Sequence, residues 1–159
     1  MVAIGEVDEA NSAIGLAIAA LDLAPLAAKL RMIQNEMFDL GADIATPFGT
    51  DFEEHALRIV ARQVSRLEEE IDAMNADLAP LTSFILPGGS AAVANLHLAR
   101  AIVRRAERAC VVLATEEQVN EAALAYINRL SDHLFVAARW VAATVGGDVL
   151  WQPGATRTS

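Results

Sequence analysis

Apolar residues recur at every third or fourth position through most of this 159-residue chain, and that spacing constrains the fold more than any other feature. It places the apolar side chains on one face of a helix, which then needs neighbouring helices to cover it. The clearest instance starts at Pro25, a residue that the first turn of a helix accepts, and it comprises Leu26, Leu30, Ile33, Met37, Leu40 and Ile44. With 54% hydrophobic but only 5% aromatic residues, the composition also favours close-packed helices over a sheet.

The pattern predicts five helices joined by short connections, and therefore an all-α fold, a five-helix antiparallel bundle. The predicted helices span about 4–21, 25–44, 51–74, 90–114 and 115–145. No internal repeat or linker divides the chain, so 1–159 is predicted to be a single domain, with helices over about 1–147 and a loose C-terminal tail over 148–159.

Two helix starts are predicted from capping boxes, in which a polar cap residue is followed three positions later by Glu or Gln. They are Asp51 with Glu54 for the third helix and Thr115 with Gln118 for the fifth. The third helix is expected to bury one apolar stripe and to turn the acidic run 68–70 toward solvent. Its predicted stripe consists of Leu57, Val60, Val64, Leu67 and Ile71.

Charge and cysteine usage exclude several classes of protein. The formal net charge of −9 argues against nucleic-acid binding, which needs broad positive surface. The single cysteine, Cys110, cannot form an internal disulfide, and neither a signal peptide nor an apolar run long enough to cross a membrane is visible. These features predict a cytoplasmic protein with no membrane contact.

Against this acidic background, the fourth predicted helix carries a concentrated cationic stripe. Arg100, Arg104 and Arg108 step by four residues and so share one side of the helix, with Glu107 beside them. An ordinary solvated helix face is the simplest interpretation of such a run. However, the chain has eleven arginines and one lysine, and the planar guanidinium is the cation best suited to phosphate oxygens. A Pro-Gly-Gly turn just before the helix would let backbone approach a ligand closely. The stripe therefore indicates a site for an anionic small molecule.

Other polar residues are ambiguous by themselves. Asn128 and Asp132 flank the apolar stripe of the fifth helix, Ser131 lies just off that line, and these small polar groups could be satisfied interior groups. Asp8, near the start of the first helix, could serve only the helix dipole. The three histidines lack the Glu-x-x-His spacing of metal-binding bundles, so no protein metal site is predicted.

Taken together, the motifs resemble those of a known family. VDEANSAIG, IQNEMFDLGADIATP, FILPGGS, LHLARAIVRRAER and YINRLSDHLFVAAR, in this order, closely resemble the ATP:cob(I)alamin adenosyltransferases of the propanediol-utilisation (PduO) type. The resemblance covers nearly the whole chain. It implies a five-helix bundle that forms a homotrimer with an active site at each subunit interface.

The resemblance also implies a reaction, in which the 5′-deoxyadenosyl group of ATP is transferred to the cobalt of cob(I)alamin, giving adenosylcobalamin and triphosphate. Its implied ligands are ATP, Mg²⁺ and cobalamin as substrate, and an adenosylcobalamin-dependent enzyme is a possible partner. Cob(I)alamin is itself a strong nucleophile, so the protein would align the two substrates and stabilise the departing triphosphate.

The resemblance further assigns roles to individual residues. Arg104, Glu107 and Arg108 are implied to contact ATP, with Asn128 and Ser131 holding the nucleotide from the next helix. Asp8 and Arg100 match positions that form a salt bridge near the subunit interface in family members. Phe84 matches a phenylalanine that faces the corrinoid and keeps its lower axial side free of ligand.

The sequence departs from the family at one point. Family members begin with a stretch rich in glycine and threonine, followed by a lysine, that wraps the ATP phosphates, and no such stretch precedes the first predicted helix here. This leaves an alternative, a non-catalytic trimer that binds or delivers a corrinoid. Retention of the arginine row and Asn128 favours the enzyme, because a corrinoid carrier needs no ATP pocket.

Overall fold

The computed structural model describes residues 1–157 and contains five α-helices, which confirms the predicted all-α antiparallel bundle. In chain order they are α1 (Val2–Ala19), α2 (Ala24–Ala45), α3 (Ala61–Asn75), α4 (Ala91–Glu116) and α5 (Glu121–Thr144). Helix α1 packs against α2 and α4, and α5 packs mainly against α3 and α4. No helix within residues 1–157 is long and apolar enough to cross a membrane.

The core is built from aliphatic side chains interleaved with alanines, as the composition predicts. The three-and-four spacing buries one face of each helix, and the small alanines of α1, α4 and α5 let the helices approach closely. Fully buried large side chains come from every helix, including Ile14, Leu30, Ile33, Leu40, Leu67, Leu96, Ile127, Leu130 and Leu134.

A buried carboxylate fixes the long connection between α2 and α3. Asp43, only 2% exposed, accepts a hydrogen bond from the Ile59 amide (2.7 Å) and forms an ion pair with Arg58 (2.8 Å). Asn120, just before α5, donates to the same carboxylate (2.7 Å) and to the Ile59 carbonyl (2.8 Å). Residues 56–60 are therefore held in extended form, and Ile59 is buried in the core.

This anchoring makes the predicted start of the third helix wrong. Because the chain is extended up to Val60, α3 begins at Ala61 and not near 51. The stretch that contains Asp51 and Glu54 forms turns and a short 3₁₀ segment (Glu53–His55), and no capping box forms there. Leu57 and Val60, predicted to line the core, are 60% and 55% exposed.

The predicted start of the fifth helix is also wrong, because α4 extends further than predicted and a different residue caps α5. Helix α4 continues to Glu116, and Thr115 lies within it and donates its hydroxyl to the Val112 carbonyl (2.7 Å). The cap of α5 is instead Asn120, whose side-chain oxygen accepts from the Ala122 amide (3.1 Å). Thr115 and Gln118 therefore do not form a capping box.

A polar network lies inside the bundle, where α2, α3 and α5 meet. The Tyr126 hydroxyl donates to Glu36 (2.6 Å), and Arg66 pairs with both Glu36 and Glu70. His133, fully buried, hydrogen-bonds Glu70 at 2.8 Å. Burial alone would raise the pKa of Glu70, but the hydrogen bond and charge of His133, with those of Arg66, outweigh it and lower that pKa. The prediction that the whole 68–70 run faces solvent is therefore wrong at Glu70, because these partners lie across the helix interface.

Residues 148–151 of the C-terminal tail are fixed to the rest of the chain, whereas a loose tail was predicted over 148–159. Helix α5 ends at two glycines in the left-handed region, Gly146 and Gly147 (φ 113° and 97°), which turn the chain back. The next residue, Asp148, pairs with the buried Arg139 at 3.0 Å. Further along, Leu150 forms an antiparallel bridge with Ile85. The part of the predicted loose tail that follows 157 lies outside the described residues.

Candidate functional site

Helix α4 positions the arginine row. Ser90 caps its start by accepting a hydrogen bond from the Val93 amide (3.3 Å), and Gly89 makes the preceding turn with a positive φ of 110°. Leu96 and Val103 anchor the opposite face in the core at 0% exposure. The buried face of α4 therefore determines which way its arginines point.

Arg104 and Arg108 line an open cleft of about 480 Å³, together with Glu107 of α4 and Asn128 of α5. The Asn128 side chain donates to Glu107 (2.7 Å), and Arg108 donates to the Arg104 carbonyl (3.0 Å). Within residues 1–157 neither guanidinium forms an ion pair with a carboxylate. Two cations without an anionic partner, placed beside a fixed amide, form a site that can accept a phosphate chain.

The neighbouring Arg105 does not belong to this cleft. It points to the other side of α4 and forms ion pairs with Glu6 and Glu9 of α1. Hydrogen bonds to Glu9 and Glu6 raise its pKa. Arg105 therefore joins two helices and is not available to a ligand in the cleft.

Ser131 lies behind the cleft and does not line it. Its side chain is buried, and its hydroxyl donates to the Asn128 carbonyl (2.9 Å) one turn back along α5. Ser131 can therefore influence the position of Asn128, but the structure does not bring its hydroxyl to the cleft surface.

A second cleft, of about 580 Å³, opens where Arg100 of α4 meets the 81–85 segment and Phe135 of α5. The Arg100 guanidinium lies over the Phe135 ring, 5.2 Å from its centre. Burial, followed by the charge of Arg104, lowers the pKa of Arg100. Phe84 lines the same cleft and is 76% exposed, so its ring is not part of the core.

Two aromatic residues were not found from the sequence: Phe135, which lines this second cleft, and Trp151, which contacts Phe84. Phe135 falls in the helical pattern of α5 and looks like one more core position, yet it is only partly buried. Trp151 lies beyond the last helix, and its ring meets the Phe84 ring edge-on at 5.9 Å. No local spacing could have indicated either contact, since both join segments far apart in the chain.

Asp8 lies elsewhere in the subunit. It lines a groove of about 460 Å³ between α1 and α2, next to Phe38, which is 71% exposed. Within residues 1–157 Asp8 has no ion-pair partner, and Arg100 lines a different cleft. The two residues that the family resemblance pairs are therefore not joined within one copy of the chain.

No protein-based metal centre or thiol nucleophile is found in the described part of the chain. Residues 1–157 contain no group of three or more His, Cys, Asp or Glu side chains that could hold a metal ion. Cys110 is buried, and burial raises the pKa of its thiol to about 11. His97 is buried against the edge of Phe135, and burial lowers its pKa.

The helical bundle carries two clefts one turn of α4 apart, one lined by Arg104 and Arg108 and the other by the Phe84 and Phe135 rings. A family model described as cobalamin adenosyltransferase matches residues 1–141. The corrinoid adenosyltransferase of Mycobacterium tuberculosis is 47% identical to the chain over 100% of its length and 83% of the relative's. That of Bacillus subtilis is 46% identical over 95% of this chain and 79% of its own.

A solved structure gives the same result. It is an alanine-for-phenylalanine variant of the PduO-type ATP:corrinoid adenosyltransferase from Lactobacillus reuteri, complexed with cobalamin and ATP. It superposes with a TM-score of 0.87 at 40% identity, covering 94% of this chain and 84% of that one. The chain belongs to the cobalamin adenosyltransferase family, which confirms the resemblance seen in its motifs.

Proposed function

We propose that this chain transfers the 5′-deoxyadenosyl group of ATP to the cobalt of cob(I)alamin, giving adenosylcobalamin and triphosphate. The observation that carries the proposal is the placement of two different clefts on one helix. The cleft at Arg104 suits a phosphate chain, and the cleft that combines the Phe84 and Phe135 rings with Thr82, Ser83 and Arg100 suits the flat face and polar rim of a corrinoid. Family membership supplies the reaction that joins such a pair of ligands.

At the cationic cleft, Arg104 and Arg108 would bind the phosphates, and Asn128, held by Glu107, would contact the nucleotide. Ser131 would hold Asn128 in place from behind. A Mg²⁺ ion fits this arrangement, because Mg²⁺ in such sites takes one or two carboxylates together with substrate phosphates, and Glu107 is the carboxylate at hand. When bound, it would neutralise part of the phosphate charge.

The reaction requires that cobalt and C5′ of ATP be aligned and that the negative charge on the departing triphosphate be stabilised. The cobalt electron pair forms the bond to C5′ as the C5′–O bond breaks, and the electron pair of the C5′–O bond leaves with triphosphate. Arg104 and Arg108 would stabilise the negative charge that grows on the leaving group in a preorganised site. No protein nucleophile is required, which agrees with the buried and protonated Cys110.

At the cleft lined by Phe84 and Phe135, the exposed Phe84 ring would face the corrinoid and exclude a ligand from the lower axial side of cobalt. Loss of that ligand makes cobalt(II) easier to reduce to the nucleophilic cobalt(I). Arg100 lines the same cleft, with its guanidinium over the Phe135 ring.

The proposal includes a homotrimer with the sites at its subunit interfaces. Asp8 and Arg100 would pair between neighbouring copies, which accounts for their separation within one copy. The exposed Phe38 beside Asp8 supports a covered face in that region. We further propose a cytoplasmic location, where the product would pass to an adenosylcobalamin-dependent enzyme.

The test is to mix the protein with ATP and chemically reduced cobalamin and to follow the absorbance of the alkyl-cobalt product together with triphosphate release. Equal amounts of both products, formed over many turnovers, are expected. If the protein binds the corrinoid tightly yet forms no alkyl-cobalt species, the proposal is overturned in favour of a carrier.

A further inference from the structure

The residues after α5 hold the segment that carries Phe84. The Trp151 amide donates to the Phe84 carbonyl and the Leu86 amide donates to the Val149 carbonyl, both at 2.8 Å. The Ser83 hydroxyl donates to the Trp151 carbonyl at 2.8 Å. Residues 83–86 and 148–151, called here the tail ladder, thus form one paired unit.

The tail ladder is itself fixed to the bundle through one buried arginine. Arg139 of α5 pairs with Asp148 at 3.0 Å and donates to the Ala79 carbonyl at 2.8 Å. Arg139 therefore holds the chain just before residues 83–86 and at the first residue of 148–151. Both segments keep a fixed position relative to α5, and so relative to Phe135 and the cleft.

The Phe84 ring has few other contacts that could hold it. It is 76% exposed, so the core does not determine its rotamer. Its one aromatic neighbour in residues 1–157 is the Trp151 ring, at 5.9 Å and an interplanar angle of 61°. Edge-to-face geometry of this kind is directional, because the positive edge of one ring meets the negative face of the other.

We propose that Trp151 is a positioning residue for Phe84, acting through its ring and the tail ladder to hold the Phe84 ring toward the corrinoid. The inference rests on the proposed function and assigns part of the site to the chain after the last helix. Trp151 would act through Phe84, so it would affect the binding of the corrinoid and leave the binding of ATP unchanged.

The experiment compares wild type with Trp151→Ala, Trp151→Phe, Phe84→Ala and the double variant Trp151→Ala/Phe84→Ala. Phe52→Ala is the matched control, since Phe52 is also exposed (75%) but lies in the α2–α3 connection away from both clefts. The measurements are the half-saturating concentrations of cobalamin and ATP, and the spectral signature of four-coordinate cob(II)alamin. Amide hydrogen exchange over 83–86 is measured without ligands.

Trp151→Ala is expected to raise the half-saturating cobalamin concentration by about two- to tenfold, the range that an edge-to-face pair provides. The ATP value is expected to stay unchanged, the four-coordinate signature to weaken and exchange over 83–86 to rise. Trp151→Phe is expected to restore most of these properties, and Phe52→Ala to alter none. In the Phe84→Ala background, Trp151→Ala is expected to add no further loss.

Two results would overturn the inference while leaving the proposed function intact. One is an active Trp151→Ala protein with wild-type cobalamin saturation and spectrum. The other is a full additional loss when Trp151→Ala is added to Phe84→Ala, which would mean that Trp151 acts independently of Phe84. If wild type makes no alkyl-cobalt product, the proposed function fails by itself, and the exchange measurement without ligands still reports separately whether Trp151 orders residues 83–86.

Discussion

Arg104 and Arg105 are adjacent in sequence and identical in type, yet the structure gives them opposite environments. Arg104 lines the cationic cleft without an ion-pair partner in residues 1–157, whereas Arg105 pairs with Glu6 and Glu9 on the far side of α4. Substituting each by alanine therefore removes the same side chain from the same helix, once inside the proposed ATP site and once outside it.

The expected loss can be worked out from the contact that Arg104 would make. A hydrogen bond between a guanidinium and a phosphate oxygen is charge-assisted and contributes about 1.5–3 kcal/mol. If that contact strengthens as charge develops on triphosphate, Arg104→Ala lowers kcat/KM by about 10- to 150-fold. Arg105→Ala removes only partly exposed ion pairs outside the cleft, so turnover is expected to remain at the wild-type level with a small change in the thermal midpoint.

The assay is the initial rate of alkyl-cobalt formation at saturating cobalamin and varied ATP, with thermal unfolding and molecular mass measured for each variant. Equal activities of the Arg104→Ala and Arg105→Ala proteins would refute the assignment of the cationic cleft. A loss confined to Arg105→Ala would place the nucleotide on the α1 side of α4 instead.

Three further outcomes are expected. Phe84→Ala should lower the free energy of unfolding by only about 1–2 kcal/mol, since about a quarter of the residue is buried, whereas a fully buried phenylalanine costs about 3–5 kcal/mol; urea unfolding measures this, and turnover should fall sharply. Asp8→Asn should reduce activity more than it reduces subunit stability, and the charge exchange Asp8→Arg with Arg100→Asp should recover part of the activity and of the trimeric mass. If Asp8→Asn equals wild type in rate and mass, Asp8 serves only the helix dipole. The folded-state pKa of Glu70 is lowered, so its contribution to stability is present above its unfolded pKa of about 4.3 and is lost as pH falls through the folded value. Glu70→Gln should therefore be less stable than wild type near neutral pH. Its thermal midpoint should also depend less on pH in the acid range.

The sequence predicts best what local spacing determines. The helical periodicity predicts all five helices, and the four-residue step of α4 predicts that Arg104 and Arg108 share a face. Asn128 lies beside them because α4 and α5 are adjacent antiparallel helices. Spacing alone did not predict which residue of α5 faces the arginines, and only the family resemblance of the motif YINRLSDHLFVAAR indicated Asn128. Helix ends were less predictable, since the start of α3 depends on Asp43, more than fifteen positions earlier in the chain.

The features that were missed all depend on contacts between distant segments. Glu70 looks like its two acidic neighbours in sequence, yet it alone of the three is buried, against Arg66 and His133. Trp151 looked like part of a loose tail because nothing in residues 148–157 repeats at a helical or strand period. Its role follows only from pairing with 83–86, which no local pattern encodes.

The spacing of the two clefts along helix α4 limits where the chain can gain or lose residues. Arg100 lines one cleft and Arg104 the other, about 6 Å apart along the axis of an uninterrupted helix. A residue inserted between them would turn everything that follows by about 100° and move it by about 1.5 Å. The two ligands would then lose their common alignment even if the bundle still folded. We therefore expect relatives to vary in length within the loops but to keep an unbroken run of residues from the glycine turn to the end of this helix.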